Sequence, residues 1–436
     1  MITTVSIISI ILYTFILICF RRKLVEQQFA FLVIYLFGLV FIGELDILLP
    51  IYFVFSFIPF IRKLRKISVF TALISLYFIV LVVYGLTFQN SIRTIVTFIT
   101  KIWQFVVFFI IWDEDVSLEE KDYKPLFWFA VIFETVLGIY LMINSTSVSS
   151  VSGLVRLVSN SQPITGNIAT FMLPLTVLFY LLNRNKPQNL RFIILANLFL
   201  LVWIVLSGTR GYMLEYVSVM AFIIYDYYLH SKNKLLTPIS RVITAFSLAL
   251  FSIVLVLVIP GVMEKATSVL RLNASVGIRK YENAAVFDYI RNAPLSAVIF
   301  GLGLGGTGSD NEAMRNALYK QFSLGMWNRN HYIYESGALF HSLYSNVIMC
   351  LGLFGLLILV LIFVKMWNCI SVACKNDSFI RILLHAFLIS FYLMNYYRWS
   401  AVCGIAEMIL LALVLKIIRN KNEYYINEEE TIIRED

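Results

Sequence analysis

Charged residues are scarce in this sequence: they make up 14% of the 436 positions, whereas soluble domains carry about 25%. This scarcity excludes an ordinary soluble enzyme. A disordered chain is also excluded, because it would be poor in apolar residues, and here 60% of the residues are hydrophobic. The five cysteines show no paired spacing typical of a metal site or a disulfide framework. The composition therefore indicates a membrane protein, whose architecture is described by the number of its membrane-spanning segments.

Apolar runs long enough to cross a bilayer recur along the chain. A span needs about 20 such residues, and lipid offers the backbone no hydrogen-bond partners, so each span should be a helix. We therefore predict an all-α, polytopic integral membrane protein with about 12–13 transmembrane helices and one long outer loop. The spans, with approximate limits, are 3–20, 29–43, 46–61, 67–88, 92–112, 124–143, 163–182, 190–206, 211–229, 239–260, 340–365, 378–397 and 400–418.

These spans divide the chain into four regions. Residues 1–260 hold the first ten helices, and 261–339 form the long outer loop, which we expect to be partly helical and to cover the active site. Residues 340–418 hold the remaining helices, and 419–436 form a cytoplasmic tail.

The basic residues indicate the sides of the membrane. With the N-terminus outside, 22 of the 35 lie in cytoplasmic connections, 12 lie outside, and Lys101 falls within a span. Such an excess marks the cytoplasmic side, so the net charge of +9 indicates orientation in a membrane rather than a nucleic-acid partner. The short outer loops hold only four arginines, which are Arg93, Arg156, Arg210 and Arg398.

Two of these arginines lie in loops with a suggestive composition. Arg210 is in the turn Ser207-Gly208-Thr209-Arg210-Gly211, where its planar guanidinium could hold phosphate oxygens. The alternative is an interfacial arginine that reaches the lipid headgroups. Arg156 belongs to a polar Ser/Asn loop that leads into Pro163, and a plain surface loop is its alternative.

The long loop supplies a further arginine and a glycine run. Arg279 precedes an amphipathic stretch at 281–290, and glycines follow at 301–306. The glycine run imitates a dinucleotide fingerprint but lacks the surrounding strands and helices, so we predict a tight turn or an amide nest. Three aromatic side chains are either platforms for sugars or interfacial belt residues: Trp327, Tyr332 and Tyr334.

His341 stands at the start of a predicted span. Because an imidazole has a reference pKa near 6.5, it can act as a base at neutral pH. The alternative is an interfacial histidine bonded to a neighbour. His331 is a competing candidate, whereas His230 and His385 fall on the cytoplasmic side.

One pair of charges lies within the predicted spans. Lys101 and Glu134 stand at equal depth on consecutive helices. Since charges inside a membrane are seldom left alone, we predict that they pair, in a structural rather than a catalytic role.

Taken together, four stretches resemble the superfamily of O-antigen polymerases and O-antigen ligases, which are membrane glycosyltransferases. Ser207–Gly211 is similar to the family's Ser-x-Ser-Arg-Gly between two spans, and Arg279 is similar to an arginine that opens the long outer loop. The other similar segments are Pro294-Leu295 with Gly301–Gly305, Arg156 with Gly166-Asn167, and His341, Tyr344, Gly352 and Gly355, with Ser342 where the family usually has asparagine.

The resemblance implies a substrate and a set of roles. The donor would be an undecaprenyl-diphosphate-linked oligosaccharide at the outer face of the bacterial inner membrane. Arg210, Arg279 and Arg156 would bind the diphosphate, and Arg210 and His341 would be catalytic. The transfer would need no metal and no cofactor. Besides the lipid bilayer, a chain-length-regulating membrane protein is an expected partner, and nucleic acid is not.

Three functions stay open at this point. A polymerase would join repeat units of an O-antigen or capsule, and this reading is preferred. A ligase would transfer finished polymer to lipid A-core, and it would share the whole donor site. A flippase for lipid-linked oligosaccharides should carry charges along a central cavity, whereas the unusual arginines here gather on one face.

Overall fold

The structure, a computed structural model, describes only part of the chain. The described residues are 67–87, 92–113, 147–151, 154–158, 275–304, 312–321, 340, 342–394 and 411–420, with single positions at 180, 220, 223 and 408. The spans predicted before residue 67 and between 124 and 260 therefore lie outside the described residues, apart from those single positions. The chain divides into two compact units, Met1–Leu45 with Leu118–Arg271, and Asp46–Ser117 with Leu272–Asp436.

A β-hairpin is the described element of the first unit. Strand β1 covers Ser147–Val151 and strand β2 covers Leu154–Val158, and they pair antiparallel with Ser149 opposite Arg156. Arg156 therefore lies on a strand, whereas the sequence was interpreted as a polar loop there. The two runs carry β-branched valines and are separated by Ser152-Gly153, a spacing that is typical of hairpins.

Helices make up the described part of the second unit. Four of them lie at the predicted spans 67–88, 92–112, 340–365 and 378–397, although the helix at 340–365 continues to Ala373. Three further helices lie within 261–339, the predicted outer loop. The seven are α1 (Val69–Thr87), α2 (Ile92–Asp113), α3 (Ser275–Asn292), α4 (Leu295–Phe300), α5 (Glu312–Gln321), α6 (Leu343–Ala373) and α7 (Ser378–Met394). Residues 411–420 are helical as well.

Two described helices, α1 and α6, are long and apolar enough to cross a membrane. Each also exposes large apolar side chains along its length, such as Leu76 and Val80 on α1 and Leu357 and Val360 on α6. An apolar surface of this kind suits a lipid environment. The helical class and the presence of candidate membrane helices are thus confirmed for the described residues, with the hairpin as an addition.

One end of the second unit gathers the start of α1, the end of α2 and residues of two further helices. The Asp113 carboxylate at the end of α2 accepts a hydrogen bond from the Ser68 amide at 2.9 Å, just before α1. Lys365 of α6 lies 5.7 Å from the Phe70 ring. From the 411–420 helix, Arg419 lies 5.3 Å from the Trp112 ring.

Helix α6 is bent at Gly352, whose φ of 67° and ψ of −164° are not helical. On the first arm, the Tyr344 hydroxyl donates to the Tyr392 carbonyl of α7 at 2.7 Å. On the second arm, the Phe363 ring lies 4.8 Å from the Tyr392 ring. A straight helix would place residues 344 and 363 about 28 Å apart. Contact of both with one residue therefore requires the bend.

The bend makes room for α4. A Cβ on Gly352 would meet the Ile299 carbonyl group and would stand 2.7 Å from the Gly301 nitrogen. The Leu302 amide donates to the Met349 carbonyl at 2.9 Å. At the end of α1, a Cβ on Gly85 would collide with the Leu304 carbonyl oxygen. The predicted tight turn is therefore confirmed at 301–304, and its glycines serve close backbone packing.

Candidate functional site

The structure describes two of the four predicted site residues. Arg210 and His341 lie outside the described residues. Arg156 lies on β2 in the first unit, and Arg279 lies on α3 in the second. Other predicted positions also lie outside the described residues, and they are Glu134, Trp327, His331, Tyr332 and Tyr334.

Helix α3, which carries Arg279, is joined to the first arm of α6 by one buried-side hydrogen bond. The Ser345 hydroxyl donates to the Asn283 Oδ1 at 2.7 Å. Further along α3, burial is the main cause that raises the pKa of Tyr289 to about 12. The nearby Cys350 thiol and Tyr84 hydroxyl raise it as well.

Two predicted site positions lie close in the sequence to the Asn283–Ser345 bond. Position 279 lies four residues before Asn283, which is about one helical turn. Position 341 lies four residues before Ser345, immediately ahead of the residue that precedes α6. The Asn283–Ser345 bond therefore joins α3 to α6 about one turn after Arg279 and four residues after position 341. We call this region the α3–α6 junction and define it by Glu282, Asn283, Ser342, Ser345 and Asn346.

The α3–α6 junction is polar and largely closed to solvent. Glu282, Ser342 and Asn346 are each 0% exposed. The Ser342 hydroxyl makes no hydrogen bond within the described part of the chain, although Ser342 occupies the N-cap position of α6. Buried polar groups in a membrane protein are costly and commonly mark a functional site. The junction is therefore the strongest candidate site among the described residues.

The side chain of Asn346 holds the chain on both sides of His341. Its Oδ1 accepts from the Phe340 amide at 2.9 Å. Its Nδ2 donates to the Phe340 carbonyl at 2.8 Å and to the Ser342 carbonyl at 2.8 Å. The Asn346 backbone amide also donates to the Ser342 carbonyl, at 3.2 Å. Residues 340 and 342 are thus fixed to the first turn of α6.

Helix α3 is braced on its other side by α5. The Asp288 carboxylate lies 3.2 Å from the Lys320 Nζ and accepts a hydrogen bond from the Gln321 side chain. The bonds from Gln321 and Lys320 lower the pKa of the Asp288 carboxyl. This ion pair ties the helix that carries Arg279 to its neighbour and keeps α3 in place beside α6.

His385 has structural partners, in keeping with its exclusion as a site candidate. Its ring stacks on Trp367 with centroids 3.6 Å apart and an interplanar angle of 2°. Its Nε2 lies 3.3 Å from the Ser371 hydroxyl and 3.2 Å from the Trp367 carbonyl. These contacts join α6 to α7.

Sequence reasoning singled out Arg279 and His341 but gave no role to Asn283, Ser345 or Asn346. All three are polar residues within stretches that otherwise pack against apolar neighbours. That mismatch was a usable signal, because a polar residue on a buried face needs a partner. The partner itself comes from another segment of the chain, and the sequence around each residue does not show which segment that is.

The chain matches no protein-family model and no curated protein sequence. Within the described residues, no group of three His, Cys, Asp or Glu side chains is placed to hold a metal ion. The family resemblance therefore rests on the sequence motifs alone.

Proposed function

We propose that this protein is a membrane glycosyltransferase that polymerises polysaccharide repeat units from undecaprenyl-diphosphate-linked oligosaccharides. The reaction takes place at the outer face of the bacterial inner membrane. The observation that carries the proposal is the Asn283–Ser345 bond, which joins the helix that carries Arg279 to the first turn of α6. The bond supports the proposal because it links two helices that each carry or follow a motif residue, Arg279 and His341.

The chemistry follows from the charges of the donor. The acceptor hydroxyl oxygen attacks C1 of the donor sugar, and the bond between C1 and the diphosphate oxygen breaks. The electron pair leaves with the undecaprenyl diphosphate, and the hydroxyl proton passes to the His341 imidazole. A positioned general base contributes about 10²–10⁴-fold to such a rate.

The arginines act on the leaving group in this proposal. Negative charge grows on the diphosphate as the C1–O bond breaks, and fixed cations aimed at developing charge lower the barrier. Arg279 and Arg210 hold the diphosphate oxygens, with Arg156 as a further contact. The guanidinium fork binds two oxygens at once, which a lysine ammonium does not do.

The test replaces two proposed site residues and compares the variant on α3 with a control variant on the same helix. Arg279→Lys and His341→Ala are introduced into cells that lack the native gene, and polymer length is measured together with the level of protein in the membrane. Both variants should give short or no polymer at normal protein levels. Arg291→Lys, in the last turn of α3, is the control and should give wild-type polymer. Wild-type polymer from both site variants would refute the site.

The same cells separate the three functions. Single repeat units on the lipid carrier in the deletion strain indicate a polymerase. Long polymer that stays on undecaprenyl diphosphate indicates a ligase that acts on lipid A-core. Purified protein that moves the lipid-linked substrate across a bilayer but does not elongate it indicates a flippase. A chain-length-regulating membrane protein would appear as a partner that changes the length distribution without abolishing elongation.

A further inference from the structure

We infer that Asn346 is a positioning residue that holds His341 in its working place through the peptide groups on either side of it. The inference rests on the proposed function, in which His341 takes the acceptor proton. Asn346 lies five residues after His341 and belongs to the first turns of α6.

The bonding pattern defines the orientation of the Asn346 side chain. Its Oδ1 faces a donor, the Phe340 amide at 2.9 Å, and its Nδ2 faces two acceptors, the Phe340 and Ser342 carbonyls at 2.8 Å each. Turning the amide over would set the NH₂ group against an N–H and the oxygen against two carbonyl oxygens. Only the observed orientation satisfies all three contacts.

Burial makes these bonds consequential. Asn346 is 0% exposed and Phe340 is 2% exposed, so water does not readily replace a lost partner. An unpaired buried donor or acceptor destabilises the fold. The chain around 340–342 therefore has a strong preference for the arrangement in which the planar Asn346 amide joins its two ends.

The hydroxyl of Ser342 does not bind the backbone on either side of position 341 within the described part of the chain. Although Ser342 occupies the N-cap position of α6, it makes no side-chain cap bond. The amide of Asn346 instead reaches back to the backbone before the helix. The residues on both sides of position 341, Phe340 and Ser342, are thus tied to one planar group.

The consequence for catalysis is a loss of rate rather than of donor binding. A displacement of about 1 Å at a catalytic group can lower the rate by about 10²-fold. Asn346→Ala should therefore lower kcat by about tenfold to 10²-fold and leave the KM for the lipid-linked donor within about twofold. Asn346→Asp keeps the shape and the acceptor oxygen but removes the NH₂ group. It should show the same loss of kcat.

The experiment uses full-length purified protein in nanodiscs and a lipid-linked repeat unit as substrate. Initial rates are measured for wild type, both Asn346 variants, His341→Ala and the double variant His341→Ala/Asn346→Ala. Val347→Ala is the control, because Val347 is the adjacent residue and is 2% exposed, and it makes none of the three side-chain bonds. Amide hydrogen exchange of the peptide that contains residue 340 is followed in the same preparations.

Three results are expected. The Asn346 variants lose kcat, Val347→Ala does not, and Asn346→Ala causes no additional loss in the His341→Ala background. Exchange at the Phe340 amide becomes faster in Asn346→Ala, because that amide has lost its acceptor. The inference would be overturned if Asn346→Ala lowered the rate as much in the His341→Ala background as in the wild-type protein. It would also be overturned if both Asn346 variants kept the wild-type kcat, or if both failed to fold.

The failure of the proposed function gives a different result. In that case His341→Ala elongates the substrate as wild type does, or the wild-type protein does not elongate it, whereas the exchange measurement still reports whether Asn346 holds residue 340. Unchanged exchange at the Phe340 amide overturns the positioning role in either case.

Discussion

Gly301 and Gly352 lie backbone against backbone, so that a Cβ on Gly352 would stand 2.7 Å from the Gly301 nitrogen. Both have positive φ, 75° and 67°, with ψ of −166° and −164°, a region that is essentially restricted to glycine. The pair joins the end of α4 to the bend of α6. It thereby sets the position of the first arm of α6, which carries the residues of the α3–α6 junction.

Gly352→Ala should release α4 from α6. Alanine at this backbone conformation costs about 1–3 kcal/mol, and its Cβ would also collide with the Ile299 carbonyl. Cys350, which is 0% exposed, should then react faster with a maleimide, as measured by mass spectrometry of its peptide. Leu353→Ala is the control, because Leu353 is 48% exposed and has a normal helical backbone. An unchanged Cys350 rate in Gly352→Ala would show that α4 does not depend on the glycine.

The Asn283–Ser345 bond should appear as a coupling between two helices. In a double-mutant cycle of Asn283→Ala and Ser345→Ala, the free energies of unfolding should be non-additive by about 0.5–1.5 kcal/mol. A parallel cycle of Asn283→Ala with Ser371→Ala should be additive, because Ser371 bonds within α6 and to α7. The measurement is reversible unfolding in detergent. Additivity in the first cycle would mean that the bond does not hold α3 to α6.

Ser342→Ala should not destabilise the protein. Since the Ser342 hydroxyl is buried and makes no hydrogen bond within the described part of the chain, its removal should be neutral or raise the free energy of unfolding by up to about 1–3 kcal/mol. Ser345→Ala is the matched comparison, because that hydroxyl is bonded, and it should destabilise. Thermal unfolding of both variants checks the contrast. A clear loss in Ser342→Ala would reveal a partner for its hydroxyl.

The Asp288 carboxylate should stabilise α3 against α5 in a pH-dependent way. Its pKa in the folded protein is lowered from the reference value of 3.8 by Gln321 and Lys320. A lowered folded pKa means that the stabilisation is present above the unfolded value and disappears as the pH falls through the folded value. Asp288→Asn should therefore lower the Tm at pH 7, and the difference from wild type should shrink below about pH 4.

A control separates this ion pair from general charge effects. Glu312→Gln removes an exposed acid in the first turn of α5 and should leave the Tm nearly unchanged at both pH values, since exposed single charges contribute little. A Tm difference for Asp288→Asn that stayed constant down to acid pH would contradict the assignment to the carboxylate.

Much of the described helical structure could be predicted from apolar runs. The predicted spans 67–88 and 92–112 differ from α1 and α2 by at most a residue or two at each end. The run that begins at 340 was predicted to end near 365, whereas α6 continues to Ala373 and is bent at Gly352. An apolar run shows that a segment is helical and buried in lipid or protein, but it carries no direct signal for the direction of the chain after a glycine.

The hairpin was missed because its strands are short and rich in serine. β1 and β2 have five residues each, and their composition, read as polar, indicated a loop. The alternation of valine with polar residues and the two-residue Ser-Gly spacer were the relevant signals. The serine-rich composition favoured a loop, whereas the alternation favoured strands. The two segments are strands because they pair with each other.

The sequence by itself determined the membrane class, the helical state of the long apolar runs and the candidate residues Arg279 and His341. These follow from local chemistry, because apolar side chains avoid water and a lipid-exposed backbone must pair within its own segment. Only the tertiary structure decided that Gly352 bends α6, that Asn283 meets Ser345, and that Asn346 bonds the backbone around position 341. Such pairings depend on which distant segment covers a buried polar group, and the local sequence does not contain that information.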